Sequence, residues 1–229
     1  METELKLKLT DPDKSADLFE HDWVRGLLMP GSRRLLKMHS QYYDTADCDL
    51  NKRMATLRIR LENDNRVMTV KLGEKSAASL HQRLEWNLYL NDETWDPDLE
   101  DGFDSQAFLK YAVSDGDPDD ELQDILELID EKPLILVCEA HFEREAWDIG
   151  YGDTLMELAL DDGYLKGGDS EEKLLELELE LKEGDVRDLL ELGESLQEHL
   201  PLIPEHRSKY ARCLALLENT RNNNGKGQF

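Results

Sequence analysis

Charged side chains recur in this chain two residues apart, in runs whose intervening positions are aliphatic. At the start, Glu2, Glu4, Lys6 and Lys8 alternate with Leu5, Leu7 and Leu9, and near the end Glu176, Glu178 and Glu180 alternate with the leucines of LELELEL at 175–181. Between them, Arg58, Arg60 and Glu62 oppose Leu57, Ile59 and Leu61, and Lys71 shares a face with Val67 and Thr69. His81, Arg83, Glu85 and Asn87 oppose Leu84, Trp86 and Leu88, and Glu157 and Asp161 oppose Met156, Leu158 and Leu160. Carboxylates ligate hard cations such as Mg²⁺ or Mn²⁺, which normally bridge to phosphates. Arginine offers planar bidentate donors to phosphate oxygens, and lysine a compact point charge. Together the two sets suit a polyanion bridged to divalent cations. The chemistry that follows is phosphoryl transfer to water, in which a protein mainly positions groups and neutralises charge.

Period-2 alternation marks a strand with two different faces. It predicts strands at 2–9, 57–62, 67–72, 80–90, 155–161 and 175–181, with a less regular strand or two at 134–147 carrying Arg144. Helical signals fall at 15–28, 120–130, 185–200 and 206–218, with Pro201 and Pro204 breaking between the last two. The stretch 91–119 reads as an acidic insertion, and the tail at 220–229 as disordered. A single strand of this kind is ordinarily part of a sheet with one solvated face. Here the pattern recurs in at least five strands, with acids on the outer strands of the sequence and bases on the middle ones. The opposite faces are aliphatic, and amphipathic helices are available to cover them. A closed antiparallel barrel of about eight strands, charged inside and flanked by helices, meets all of these conditions. It inverts the ordinary small barrel, whose interior is filled by packed side chains. Buried charges of this density are costly unless partners or a bound ion compensate them.

The bulk composition narrows the partners. A net charge of −25 over 229 residues repels nucleic acid and anionic lipid, so a polyanion must be met at a local basic site. Cys48, Cys138 and Cys213 are far apart and form no metal or disulfide framework, as expected in a reducing cytoplasm. No apolar run is long enough to span a membrane, and METELKLKL is no signal peptide.

The N-terminal Glu2-Thr3-Glu4-Leu5-Lys6 resembles the E-x-E-x-K signature of the CYTH superfamily, the triphosphate tunnel metalloenzymes. The segments LRIR at 57–60, TVK at 69–71, HQRLEW at 81–86, FER at 142–144, ELALD at 157–161, ELELEL at 176–181 and SK at 208–209 follow in that family's order. The segments HQRLEW and ELELEL are most similar to bacterial inorganic triphosphatases of the superfamily. The resemblance implies a single tunnel domain over 1–219, hydrolysing inorganic tripolyphosphate with Mg²⁺ or Mn²⁺. By position, it implies metal ligation by Glu2, Glu4, Glu178 and Glu180, with Asp161 facing the same region. Lys6, Arg58, Arg60, Lys71, Arg83, Arg144 and Lys209 would hold the triphosphate, and Lys6, Arg58 and Arg60 would also stabilise the reacting group. Glu176 points inward by parity but falls outside that metal set. Lys8, Glu62, Glu85, Glu157 and Lys166 are lumen candidates or internal salt-bridge partners. Many bacterial relatives continue into a His-rich helical CHAD domain, which this sequence does not contain.

Three functions compete at this stage. The first is the tripolyphosphatase. The second is a nucleoside or thiamine triphosphatase, or an adenylate cyclase of the same superfamily, which would share the charged tunnel. The third is a non-catalytic polyphosphate-binding module, which would need the bases but not the four metal-side acids.

Overall fold

In the computed structural model, residues 2–15, 17–77, 80–90, 97–112 and 120–224 are described, except for the side chains of 14, 74–77 and 219–224. The alternating segments form one antiparallel sheet: β1 (Glu2–Leu9), β2 (Arg34–Asp44), β3 (Ala55–Glu62), β4 (Asn65–Ala77), β5 (Leu80–Leu90), β6 (Ile135–Tyr151), β7 (Thr154–Gly167), β8 (Ser170–Glu183) and β9 (Leu202–Pro204). The order is β5-β4-β3-β2-β6-β7-β8-β1-β9, and a β1–β5 pairing closes the first eight strands into a barrel. β1 is the seam. Glu4–Lys8 pair with β8, while Glu2–Leu5 pair with β5 and Leu7–Leu9 with β9 along the other edge. The hairpins β6–β7 and β7–β8 turn in two residues, opened by Gly152 (φ 60°) and Gly168 (φ 58°), a left-handed region that glycine enters without a Cβ clash.

The aliphatic faces point outward and are roofed. α3 (Ser105–Tyr111) and α4 (Asp120–Ile129) lay Phe108, Leu122 and Leu126 over Leu57, Met68 and Val70. α5 (Val186–His199), capped by the Asp185 side chain on the Arg187 amide, lays Leu189, Leu192 and Leu196 over Leu5, Leu7, Leu177 and Leu179. α6 (Lys209–Asn224) behaves differently. It does not cover an outer face; it enters one end of the barrel, where Tyr210 and Cys213 pack with Met38, Tyr42, Phe142 and Leu174.

The remaining differences from expectation have local causes. The helix expected at 15–28 is reduced to α1 (Asp22–Arg25), preceded by a 3-10 turn at Pro12–Lys14. The strand-like pairing of Leu28 with Ile149 and the bond from the Met29 amide to the Asp148 carbonyl draw its end onto β6, while Leu18, Phe19 and Val24 dock singly. β2 was not expected, nor the short α2 (Asp49–Lys52), nor α3 within the acidic insertion, of which 91–96 and 113–119 lie outside the described residues. The backbone of α6 continues through Asn224, so 220–224 are helical rather than tail, and 225–229 lie outside the described residues. Among the described residues, no helix is long and apolar enough to cross a membrane.

The seat of α6 depends on Gly167. A Cβ there would lie 2.4 Å from the Cys213 carbonyl oxygen and 2.8 Å from the Leu217 amide nitrogen, both backbone atoms. Gly167→Ala should therefore cost about 1–3 kcal/mol in urea unfolding through overpacking. Unchanged stability would show that the helix is not held there.

Candidate active site

Parity on the strands delivers the charges to one cavity of about 590 Å³. Its lining includes eight cationic side chains (Lys6, Arg58, Arg60, Lys71, Arg83, Arg144, Lys182, Lys209) and seven carboxylates (Glu2, Glu4, Glu62, Glu85, Glu157, Glu178, Glu180), a balance of +1 inside a chain of −25. All seven residues expected to hold phosphate line it, as do Glu2, Glu4, Glu178 and Glu180.

The acidic side is built from adjacent strands. In register, Glu180 of β8 stands opposite Glu4 of β1 on one side and Glu157 of β7 on the other. Like charges directly opposed across a ladder are destabilising. Burial pushes the Glu180 carboxyl above the usual range, and Glu2 and Glu4 add to this against the opposing charge of Lys182, 2.8 Å away. Glu4 is also buried, but Lys6 (2.9 Å) and Arg83 (2.7 Å) outweigh the burial and hold its carboxyl below the usual range. Glu2 is likewise held low against burial by Lys71 at 2.8 Å. The same lysine lies 2.8 Å from Glu85, where it and Arg58 overcome burial and bring the carboxyl to about 2. The row Glu4–Glu180–Glu157 is thus undersupplied with positive charge at Glu180. Its oxygen donors match a hard divalent cation.

The basic side shows the opposite deficit. Arg58 is 8% exposed; among the described residues its guanidinium bonds only the Thr69 hydroxyl at 3.3 Å, and its Nε has no hydrogen-bond partner. Arg60 bonds the Ser40 hydroxyl at 3.0 Å and Glu62 at 3.4 Å, and burial, then Arg58 and Arg144, lowers its pKa. The next strand explains why: β2 offers this face Met38, Ser40 and Tyr42, with no carboxylate among them. Two adjacent guanidiniums beside the neutral residues of β2, with Glu62 3.4 Å from Arg60, have the composition of a candidate anion site.

Between the two sides, α6 inserts a cation into an acidic nest. The Lys209 ammonium lies 2.6 Å from Glu176, 2.7 Å from Glu178 and 2.8 Å from Asp161. Arg144 grips Asp161 with two bonds, of 2.6 and 2.7 Å, and also bonds Glu178. Burial lowers the affinity of Lys209 and Arg144 for a proton, but these carboxylates reverse that and raise both well above their usual values. Asp161, Glu176 and Glu178 bring their oxygens within 4.8 Å of one another, as metal ligands would, but the space is taken by Lys209. Asp161 and Glu176 are fully buried and are not among the residues that line the cavity, although Asp161 lies beside Glu178, which does line it. Asp161 positions Arg144 and Lys209 instead, and Glu176 ties Lys209 to Arg212.

With this geometry in place, the comparisons become informative. The chain matches the CYTH domain over residues 1–214. It belongs to the CYTH domain family. An inorganic triphosphatase of Haemophilus influenzae is 29% identical over 161 residues, which are 70% of this chain and 40% of that protein. The chain therefore spans less than half the length of that relative. Among solved structures, a Hippeastrum protein named for adenylyl cyclase, and described as having a dominant triphosphatase activity, superposes with a TM-score of 0.62 at 19% identity, covering 94% of this chain and 96% of that one. A Pyrococcus horikoshii protein gives 0.52 at 19% identity, covering 93% and 98%. At such identities these likenesses establish the fold: a closed antiparallel barrel of the CYTH type.

Other placements refine the sequence reading of this CYTH domain. Glu62, Glu85 and Glu157 do line the cavity, whereas Lys8 does not and Lys166 is exposed on the outer wall. Lys182 was missed, although it continues the parity of Glu176, Glu178 and Glu180. Arg212, 1% exposed between Glu172 and Glu176, was also missed, because helical spacing does not announce a buried arginine.

The raised Glu180 carboxyl has a consequence for stability. A carboxyl whose folded pKa lies above its unfolded value favours folding when protonated, and that advantage is lost as pH rises through the folded value. At neutral pH its ionised form therefore works against the fold. Glu180→Gln should raise Tm at pH 7 in the presence of EDTA, and the gain should shrink as the pH is lowered below 4.5. A lower Tm at pH 7 would show that the pairing with Lys182 dominates.

Proposed function

We propose that this CYTH domain hydrolyses inorganic tripolyphosphate to pyrophosphate and orthophosphate in the barrel lumen, in the cytoplasm, with Mg²⁺ or Mn²⁺. The observation that carries the reading is the counterion-poor pair of buried Arg58 and half-buried Arg60, facing a lumen whose other wall crowds Glu4, Glu180 and Glu157 in one row. One wall is short of negative charge around the arginines, and the other crowds carboxylates beyond what Lys6, Arg83, Lys182 and Arg34 supply, so a phosphate chain bridged to a divalent cation would compensate both. The kinship with an inorganic triphosphatase supports the same substrate class.

Glu2, Glu4, Glu178 and Glu180 would hold the cation, with Asp161 behind them. Bound there, the cation would neutralise phosphate oxygens and polarise the bond to be cleaved. Arg58 and Arg60 would grip terminal phosphate oxygens bidentately, a geometry lysine cannot supply. Lys6, Lys71, Arg83, Arg144 and Lys209 would fix the rest of the chain, releasing some of their present carboxylate contacts. As water attacks the terminal phosphorus, the bond to the bridging oxygen breaks and the pyrophosphate leaves with that oxygen. The charge that builds up is met by donors already in place. Cations from several separate segments suit three linked phosphates. With a shorter chain, each buried cation left unpaired would cost about 1–3 kcal/mol.

The test is phosphate release from tripolyphosphate, ATP, thiamine triphosphate and pyrophosphate. Tripolyphosphate should be fastest, ATP well behind and pyrophosphate near zero, with activity abolished by EDTA and restored by Mg²⁺ or Mn²⁺. Equal turnover of ATP, or cyclic AMP as product, would overturn the substrate assignment; full activity in excess chelator would overturn the metal.

Arg58→Ala should lower kcat/KM about 10²–10³-fold, the usual cost of losing one preorganised donor. Because Arg58 makes no direct ion pair among the described residues and Glu85 keeps Lys71 at 2.8 Å, Tm should fall only slightly. Arg58→Lys should recover only part of the rate. Wild-type kinetics in either variant would remove Arg58 from the site.

A further inference from the structure

Outside the lumen, the wall formed by β2 and β6 carries a second group of ligating side chains. His39 stands directly opposite His141 in register, and Glu139 lies two residues before His141, on the same face of the sheet. The two imidazoles stack with centroids 3.9 Å apart, and Tyr164 stacks on the far side of His141 at 4.9 Å. Glu139 Oε2 is 2.7 Å from Nε2 of His39 and 3.6 Å from Nε2 of His141. One donor atom from each residue lies within 4.8 Å of the other two. The side chains are 33%, 20% and 31% exposed for His39, Glu139 and His141, beside an open depression that Leu61, Phe142 and Tyr164 help to line. The lumen chemistry uses none of the three.

A structural salt bridge needs one histidine, whereas here two imidazoles converge on one carboxylate oxygen. Zinc-type sites place nitrogen and oxygen donors about 2.0–2.2 Å from the metal, so tetrahedral neighbours stand about 3.3 Å apart. The observed 2.7 and 3.6 Å bracket that separation. Both strands belong to the barrel wall, so the backbone presents the donors rigidly.

We propose that His39, Glu139 and His141 form a second metal site, for a divalent transition ion of the zinc class, with a fourth position open to the depression. Imidazole donors favour zinc, cobalt, nickel or copper, whereas the all-carboxylate lumen favours magnesium or manganese. The two sites are thus separable by ion as well as by place, and the outer one does not depend on the lumen being a triphosphatase.

The experiment is a Co²⁺ titration of chelator-stripped protein in excess Mg²⁺, followed by the visible absorption of tetrahedral cobalt. Wild type should bind one equivalent with that spectrum. His39→Gln and His141→Gln should each weaken binding at least about tenfold, since even losing a supporting group costs that much. Glu178→Gln, in the lumen, should leave the spectrum intact. In unmutated protein, one equivalent of Zn²⁺ should shift the imidazole nitrogen resonances of His39 and His141. Three results would overturn the proposal: an undiminished cobalt spectrum in the double glutamine variant, a spectrum lost in Glu178→Gln, or imidazole resonances that do not move with Zn²⁺.

Discussion

The structure rests on keeping fifteen charged side chains inside a closed barrel. Each such group is costly when desolvated, and only an opposite charge, a hydrogen-bonded partner or a ligand offsets that cost. Most of the lumen meets the condition internally, as in Lys71 between Glu2 and Glu85 and Lys6 beside Glu4. The condition is met most weakly at two places, of opposite sign: Glu180 keeps a raised pKa despite Lys182, and Arg58 and Arg60 have only long or neutral contacts. Glu180 sits between Glu4 and Glu157, while Arg58 and Arg60 face the neutral residues of β2. A lumen serving only as structure gains nothing from leaving both deficits open. A ligand carrying phosphate and metal together would close both. Turning the charges inward also sends the leucines outward, so α3, α4 and α5 are needed on the outer wall.

α6 answers the same constraint from inside. An ammonium and a guanidinium, Lys209 and Arg212, enter a nest made by Asp161, Glu172, Glu176 and Glu178. Removing one partner from a buried ionic cluster typically costs about 3–5 kcal/mol, because the others are stranded. The helix is thereby fixed in depth, and with it the cations presented to the lumen. The Gly167 contact with the α6 backbone allows that depth; a side chain there would lift the helix away from its carboxylates. One lysine therefore joins the fold's stability to the shape of the site.

The legible part of this protein is the part with period-2 contrast. β1, β3, β5, β7 and β8 place charge against leucine, so parity alone assigned their inward residues, including Arg58, Arg60, Glu178 and Glu180. β2 escaped because its lumen face is Met38, Ser40 and Tyr42, and no polarity contrast separates its two sides. That omission matters chemically, since the neutrality that hid the strand also leaves the arginines uncompensated. The fate of Asp161 was illegible for a different reason. Its parity is correct, but depth along the barrel decides whether an inward residue reaches the cavity, and depth is set by α6. Lys166, offered as a lumen residue or a salt-bridge partner, goes against parity: it is out of phase with Asp161 on β7 and so faces outward. The N-terminal helix failed where sheet pairing at Leu28 and Met29 overrode a local helical pattern.

Exterior and lumen impose opposite conditions on the same kind of ligand. The chain carries −25, and the cavity lining carries +1. A long polyanion approaching a chain of this net charge meets overall repulsion. A short phosphate chain that travels with a bound divalent cation has less net charge to repel and fits within about 590 Å³. Once inside, such a ligand would leave bulk water and its counterions behind, so the arginines would act on it at a lower effective dielectric and with little screening. The acidic shell thus favours small, metal-neutralised ligands over large naked ones. Discrimination of this kind requires no side chain to recognise anything beyond phosphate and metal, which is consistent with a lumen whose charged side chains are all carboxylate, ammonium or guanidinium.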